Sequence, residues 1–392
     1  MHFSQRNIYM LYLIKISKWF MLTMPIIVLF FREHGLSMKD VMVLQAIYSI
    51  SVVVMEIPSG YLADVWGRKK TLLLGSVLGT SGFVIYSFSF DFYGFLFAQL
   101  SLGAAQSFIG GCDSAMLYDS LKSGGRENLY LKYEGRVLSI GNFAETIAAV
   151  VGGLLAEISL RTPFYWQIGV AFLAVPAAIM LVEPIRQKNM FEGGVKHILG
   201  IVKYSVITNK LLRNNILLSG IIGCATLTMA WLIQPYLEQT LRFSEYQIGI
   251  TWAALNLTVG LTTLIAHRIE KRFNQKTIIG FIVISIALCY VITGLGESLS
   301  VIPVLFFFYF TRGIATPVLK DYINRMCDEN MRATVLSIRN FFIRILFAVF
   351  GPFIGWYADL YTINYAMILS GIIFLILGTL TGILYIVQSI RK

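Results

Sequence analysis

Gly60-Tyr-Leu-Ala-Asp64-Val-Trp-Gly67-Arg68-Lys69-Lys70 is the stretch whose reading decides the fold. Apolar runs flank it, residues 41–63 before and 71–90 after. Each is at or just above the ~20 residues a helix needs to cross hydrocarbon. The link between them is therefore a tight turn that places Asp64, Arg68, Lys69 and Lys70 at one water interface. Gly60 and Gly67 permit close helix approach and a sharp reversal there.

The composition agrees. The chain of 392 residues is 57% hydrophobic and 14% charged, with a mean hydropathy of +0.71. A soluble protein carries about a quarter charged residues. Twelve apolar spans follow from the hydropathy pattern: residues 8–31, 41–63, 71–90, 93–117, 136–157, 163–182, 214–237, 246–266, 277–296, 300–320, 333–357 and 361–388. The first is too long for a signal-peptide core and lacks a small-residue cleavage site, so it counts as a span. The net charge of +11 raises a nucleic-acid partner, but its distribution argues against one. With both termini cytoplasmic, the outside loops hold only Arg32, Lys39, Arg161 and Arg242, and the other loop and tail Lys and Arg lie inside. That bias orients a multi-pass protein in an inner, cytoplasmic membrane. Four cysteines (Cys112, Cys224, Cys289, Cys327) lack C-x-x-C spacing and the four histidines form no cluster, so no disulfide framework, metal or cofactor is expected. No nucleophile–base or metal grouping suggests an enzyme. The longest hydrophilic stretch, residues 183–213, is too short for a receptor's extramembrane domain.

The chain also echoes itself. Val137-Leu-Ser-Ile-Gly141-Asn-Phe143 recurs as Val335-Leu-Ser-Ile-Arg339-Asn-Phe341, identical at six of seven positions. A weaker echo of the opening stretch, Glu270-Lys-Arg-Phe-Asn-Gln-Lys276, follows the eighth span. These repeats predict two halves, residues 1–183 and 214–392. Residues 184–213 join them as a cytoplasmic amphipathic linker that mixes basic residues with Ile198, Leu199, Ile201 and Val202.

The opening stretch resembles the signature G-x-L-x-D-x-x-G-R-[KR]-[KR] of the major facilitator superfamily of secondary transporters, and its defined positions all match. The chain is similar in this to bacterial drug and metabolite efflux members. The resemblance implies an all-α polytopic membrane protein with twelve transmembrane helices in two pseudo-symmetric six-helix bundles, and a substrate site near the midplane between them. It implies a conformational latch of Gly60, Asp64, Gly67 and Arg68. Asp64 would sit beside the N-terminus of the eleventh span, where the helix dipole favours a carboxylate by about 0.3–1 kcal/mol, and Arg68 would brace it. It also assigns spans 1, 4, 7 and 10 to a central cavity, 2, 5, 8 and 11 to the seam, and 3, 6, 9 and 12 to the periphery. The sequence departs from the drug–proton antiporter pattern by carrying Gln99 where those proteins have an arginine. Its fifth span has only Gly152-Gly153 of their glycine-rich element.

Charges inside the spans narrow the function. Lys15, Lys18, Arg312, Arg339 and Arg344 are basic; Glu56, Asp113 and Glu145 are acidic. Left unpaired in lipid, eight such groups would cost on the order of 20 kcal/mol, so they must face one another or water. All fall on the spans that the resemblance assigns to cavity or seam. Lys15 and Lys18 share a helix face at i,i+3, and Asn340 and Arg344 share one at i,i+4. Arg339 is shallower, and both a snorkelling position and a cavity role are open to it. Glu56 precedes Pro58, a helix-kinking residue, by two positions. The proton-coupling candidates are therefore Glu56, Glu145 and Asp113. The substrate-binding candidates are Lys15, Lys18, Trp19, Gln234, Tyr236, Arg312, Asn340 and Arg344. Fixed structural ion pairs are the competing explanation for the charged members. Interior cations outnumber acids, which favours an anionic or zwitterionic cargo. The expected protein is a monomeric, proton-coupled secondary transporter exporting a drug, siderophore or metabolite by alternating access. Uptake of an organic anion by symport and lipid flipping are the alternatives. Its expected partners are a small organic solute, protons and the lipid bilayer.

Overall fold

The computed structural model describes residues 3–184 and 194–390, and α-helices account for nearly all of them. By their contacts these residues fall into two compact units. One comprises Met1–Leu36, Val43–Lys188 and Phe243–Ala253; the other comprises Ser37–Met42, Asn189–Arg242 and Ala254–Lys392.

The first half runs through α1 (Phe3–Trp19), α2 (Ile27–Glu33), α3 (Met38–Val65), α4 (Arg68–Phe88), α5 (Phe92–Ile109), α6 (Cys112–Lys122), α7 (Tyr130–Ala156), α8 (Thr162–Phe172) and α9 (Ala174–Met180). The second runs through α10 (Gly194–Lys203), α11 (Lys210–Gln239), α12 (Glu245–Arg272), α13 (Gln275–Leu295), α14 (Ile302–Asn324), α15 (Glu329–Leu360) and α16 (Ile363–Ile390). Among the described residues, eleven helical stretches are long and apolar enough to cross a membrane. The predicted first span is not among them, because it is broken into α1 and α2. Large apolar side chains such as Phe97, Leu264 and Ile376 point outward, which a lipid solvent accommodates and water would not. Of the expected linker, residues 185–193 lie outside the described residues. The remainder holds α10, whose Ile201 joins a core with Leu212, Ile216, Ile323 and Val335.

Three predicted spans are not continuous. The first stops at Trp19 and resumes at Ile27, with Pro25 in the gap. Backbone freed by such a break must find partners inside the protein. Here the Gln167 side chain accepts from Leu22 N–H at 2.7 Å. Gly152 lets the break lie flush, because a Cβ at that position would stand 2.0 Å from the Leu22 carbonyl oxygen. The fourth span divides at Gly110–Gly111, where Gly111 takes φ +80°. The sixth divides at Leu173. By contrast α3 runs unbroken through Pro58.

The signature turn is built by one acid. Gly67 adopts φ +99°, a conformation open to glycine and costly for other residues. The Glu183 carboxylate then accepts from the Arg68 and Lys69 backbone N–H groups at 2.9 and 2.7 Å, capping α4. The Arg68 side chain reaches Asp119 and the Ala115 carbonyl on α6, a pairing the motif does not name. Gly60 makes no close approach: nothing lies within 4 Å of a Cβ added there. A second cap in the other unit joins Asp359, at the end of α15, to the Met38 and Lys39 N–H groups, both at 2.8 Å.

Gln167→Leu is expected to destabilise the protein by about 1–3 kcal/mol by stranding the Leu22 N–H. Gly67→Ala is expected to cost about 1–2 kcal/mol through its positive φ. Thermal unfolding in detergent measures both, and an unchanged midpoint would contradict the assignment.

Candidate functional site

The break in the first span organises the interior of the first unit. Lys15 and Trp19 occupy the last turn and a half of α1, directly before the chain unwinds. Lys15 is 8% exposed and lies 3.6 Å from Asp113 Oδ2, in a pair whose side chains are 10% and 15% exposed. Asp113 stands in the first turn of α6, created by the Gly110–Gly111 break, where the helix dipole favours a carboxylate. Lys15 Nζ also lies 5.5 Å from the Trp19 ring centroid, within cation–π range. Gly141 on α7 makes the room: a Cβ there would stand 3.3 Å from Trp19 Cγ and 3.5 Å from Lys15 Cε.

A third charge joins this pair. Glu134, on the first turns of α7, lies within electrostatic reach of Ser114, Asp113 and Lys15. Its Oε2 is buried and meets no hydrogen-bond partner among the described residues. Ser114 Oγ is in turn 2.6 Å from Tyr130 Oη. Glu134 escapes a hydropathy reading because the apolar run begins at residue 136 while the helix begins at Tyr130. The available signal was Tyr130 and Glu134 at i,i+4, one turn upstream of the span. One ammonium thus stands within electrostatic reach of two carboxylates inside the unit.

The other candidates are placed less uniformly. Glu56 is exposed, and Glu145 is half-buried and engaged with a neighbour. Lys18 and Arg344 are half-buried and engaged with neighbours. Arg312 lies 5.5 Å from the Tyr309 ring. Gln234 and Tyr236 are fully enclosed by protein in the second unit, and Tyr236 Oη donates to the Gly296 carbonyl at 2.8 Å. Asn340 is exposed, whereas its neighbour Arg339 is buried, against the snorkelling position. Asp64 is exposed and engaged with a neighbour. The cysteines are free and buried, and burial pushes the Cys327 thiol, in the link between α14 and α15, above its ordinary range.

The model of the Major Facilitator Superfamily matches residues 9–346, with a second match over 216–390. The chain belongs to this superfamily. It is 21% identical to "Multidrug resistance protein 2" of Bacillus subtilis (strain 168), covering 95% of this chain and 94% of that protein. It is 19% identical to "Quinolone resistance protein NorA" of Staphylococcus aureus (strain COL), over 82% and 83% of the two chains. Among solved structures the nucleoside transporter NupG superposes with a TM-score of 0.81 at 14% identity, covering 98% of this chain and 99% of NupG. A POT family transporter solved with a thioalcohol-conjugated peptide gives 0.70 at 13% identity, over 99% and 96%. The superfamily member described here is therefore a multi-pass transporter and not an enzyme.

Within this fold Lys15→Met is expected to destabilise by roughly 3 kcal/mol, because it leaves two acids without their cation. Adding Asp113→Asn should restore about 1–3 kcal/mol of that loss. A double-mutant cycle on unfolding midpoints checks it, and additive losses would mean that the two residues do not interact.

Proposed function

We propose that this transporter is a proton-coupled exporter of a small zwitterionic organic molecule, a drug, siderophore or metabolite, working as a monomer in the cytoplasmic membrane with both termini inside. The observation that carries this reading is the shared environment of Lys15, Asp113 and Glu134. Two carboxylates beside one ammonium hold a spare negative charge, which either a proton or the cationic end of a cargo can neutralise. Proton and cargo then compete for the same acids. Competition of that kind produces antiport: a proton arriving from outside displaces cargo, and a cargo cation arriving from inside displaces the proton. The anionic end of a zwitterion finds Lys15, Lys18 or the other interior cations. The Trp19 indole N–H, buried without an acceptor among the described residues, offers cargo a further contact.

The sign of coupling separates this reading from uptake. A purely anionic cargo would compete with the carboxylates for Lys15, so protonation of the acids would favour its binding and proton and cargo would travel together. Export is supported by the resistance proteins that the chain resembles. Alternating access is supported by membership of the superfamily and by the exchange of two packings of similar energy that such carriers use. The bias of Lys and Arg toward one side supports the orientation. Residues 1–183, 184–213 and 214–392 act as two bundles and a linker. Asp64 and Arg68 lie at the turn between α3 and α4, where a latch would act.

Everted membrane vesicles test the proposal. With an acidic lumen, wild type is expected to accumulate zwitterionic probes. Glu134→Gln and Asp113→Asn should lose pH-driven accumulation by about tenfold or more while keeping energy-independent exchange, as removal of one proton site requires. Glu56→Gln and Glu145→Gln are run beside them as the rival carriers. Full coupling in both Glu134→Gln and Asp113→Asn would overturn the assignment, and proton movement in the same direction as cargo would replace export by symport.

A further inference from the structure

The two copies of the internal echo differ at one position, and both versions of that position lie beside a cation. In the first unit Gly141 leaves space that Lys15 and Trp19 occupy. In the second unit the corresponding residue is Arg339, which brings its own charge inside. The first cation has an acid beside it. The second does not.

Arg339 is 5% exposed. Its Nε donates to the Ser219 hydroxyl on α11, and its Nη1 donates to Asn340 Oδ1 at 3.1 Å, both neutral acceptors. Among the described residues Nη2 meets no acceptor and the guanidinium meets no carboxylate. Lys320, on α14, lies within electrostatic reach of Arg339, and no acid is among the groups acting on it. Acids toward this end of the unit are engaged elsewhere: Glu270 and Asp321 both pair with Arg325, at 3.0 and 2.6 Å. A second observation is independent of charge. Asn215 is fully buried on α11, four residues before Ser219 and therefore on the same face, and both its Oδ1 and its Nδ2 are without partners. Packing of Leu212 and Ile216 of α11 against Ile323 and Val335 holds α11, α14 and α15 together here.

Two neighbouring cations without an acid, beside unused amide donors, call for an anion from outside the chain. A lone buried charge is strongly unfavourable, and a guanidinium fork matches the paired oxygens of a carboxylate or phosphate. We propose that Arg339, Lys320, Ser219 and Asn215 form an anion-binding site within the second unit, for a ligand bearing a carboxylate or a phosphate. Lys320, exposed at the edge, draws the anion in; Arg339 holds it by charge-assisted hydrogen bonds; the Asn215 amide supplies a further donor. The site depends on the transport reading only for its use, since an anionic group of cargo would dock there. Binding is independent of that use. A free organic anion and an anionic lipid headgroup share this chemistry.

The test uses the full chain in nanodiscs of phosphatidylcholine alone, titrated calorimetrically with benzoate and with inorganic phosphate, and with benzylamine as the cationic control. A parallel arm adds phosphatidylglycerol and reads retained lipid by native mass spectrometry. Wild type is expected to bind benzoate or phosphate and not benzylamine. Arg339→Gln should weaken binding by about tenfold or more, and Arg339→Lys should recover part of it. Lys320→Gln should weaken it several-fold and flatten its salt dependence. If Arg339→Gln does not fold, Lys320→Gln and Asn215→Leu carry the test. Phosphatidylglycerol retained by wild type and lost in Arg339→Gln also supports the site and assigns its source to lipid. No anion bound in any arm, or folded variants that bind like wild type, would overturn it. Because no pH gradient enters, loss of vesicle transport with binding intact refutes the exporter alone.

Discussion

Hydrocarbon offers no hydrogen bonds, so each backbone group that leaves a helix and each charge that enters one must find its partner within the protein. The break between α1 and α2 shows what that demands. Unwinding at Phe20–Ile26 is tolerable because Gln167 accepts from the freed Leu22 N–H and Gly152 lets the neighbouring helix close over the gap. The break in turn sets where α1 ends, and that end carries Lys15 and Trp19. A second break, at Gly110–Gly111, starts α6 beneath Asp113. Two interrupted helices thereby bring an ammonium and a carboxylate to 3.6 Å in the interior of the first unit.

Electrostatics in the two units follow different rules. In the first, Lys15 pairs with Asp113, and a second acid, Glu134, lies within electrostatic reach of both. In the second, Arg339 and Lys320 exceed their acids, because Arg325 holds Glu270 and Asp321. Duplicated helices need not duplicate charge. One substitution within the echo, glycine for arginine, separates a position that accommodates a cation from one that supplies it.

Much of this was legible in the chain. The signature stretch, the apolar spans and the echo pointed to one fold, and the family match agrees with it. Lys15 and Asp113 were both visible as charges in apolar runs. Their partnership was not, since nothing in the sequence orients α1 against α6. Glu134 escaped because hydropathy ends a span where apolar residues stop, while a helix continues as long as its backbone bonds are satisfied; α7 thus begins at Tyr130, before the apolar run. Gln234 and Tyr236 looked like a polar wall, yet both are packed away, the tyrosine hydroxyl held by the Gly296 carbonyl.

By itself the sequence determined a twelve-span helical membrane protein of two related halves and the identity of its costly interior charges. Those follow from local rules, because span length, motif spacing and the transfer cost of a charge depend on neighbours along the chain. Only the tertiary structure decided which charges meet. It cut the first, fourth and sixth spans, seated Glu183 on the signature turn, brought Glu134 within electrostatic reach of Lys15 and Asp113, and buried Arg339 without an acid. Those outcomes depend on segments distant in sequence, set by how helices pack and not by what any one of them contains.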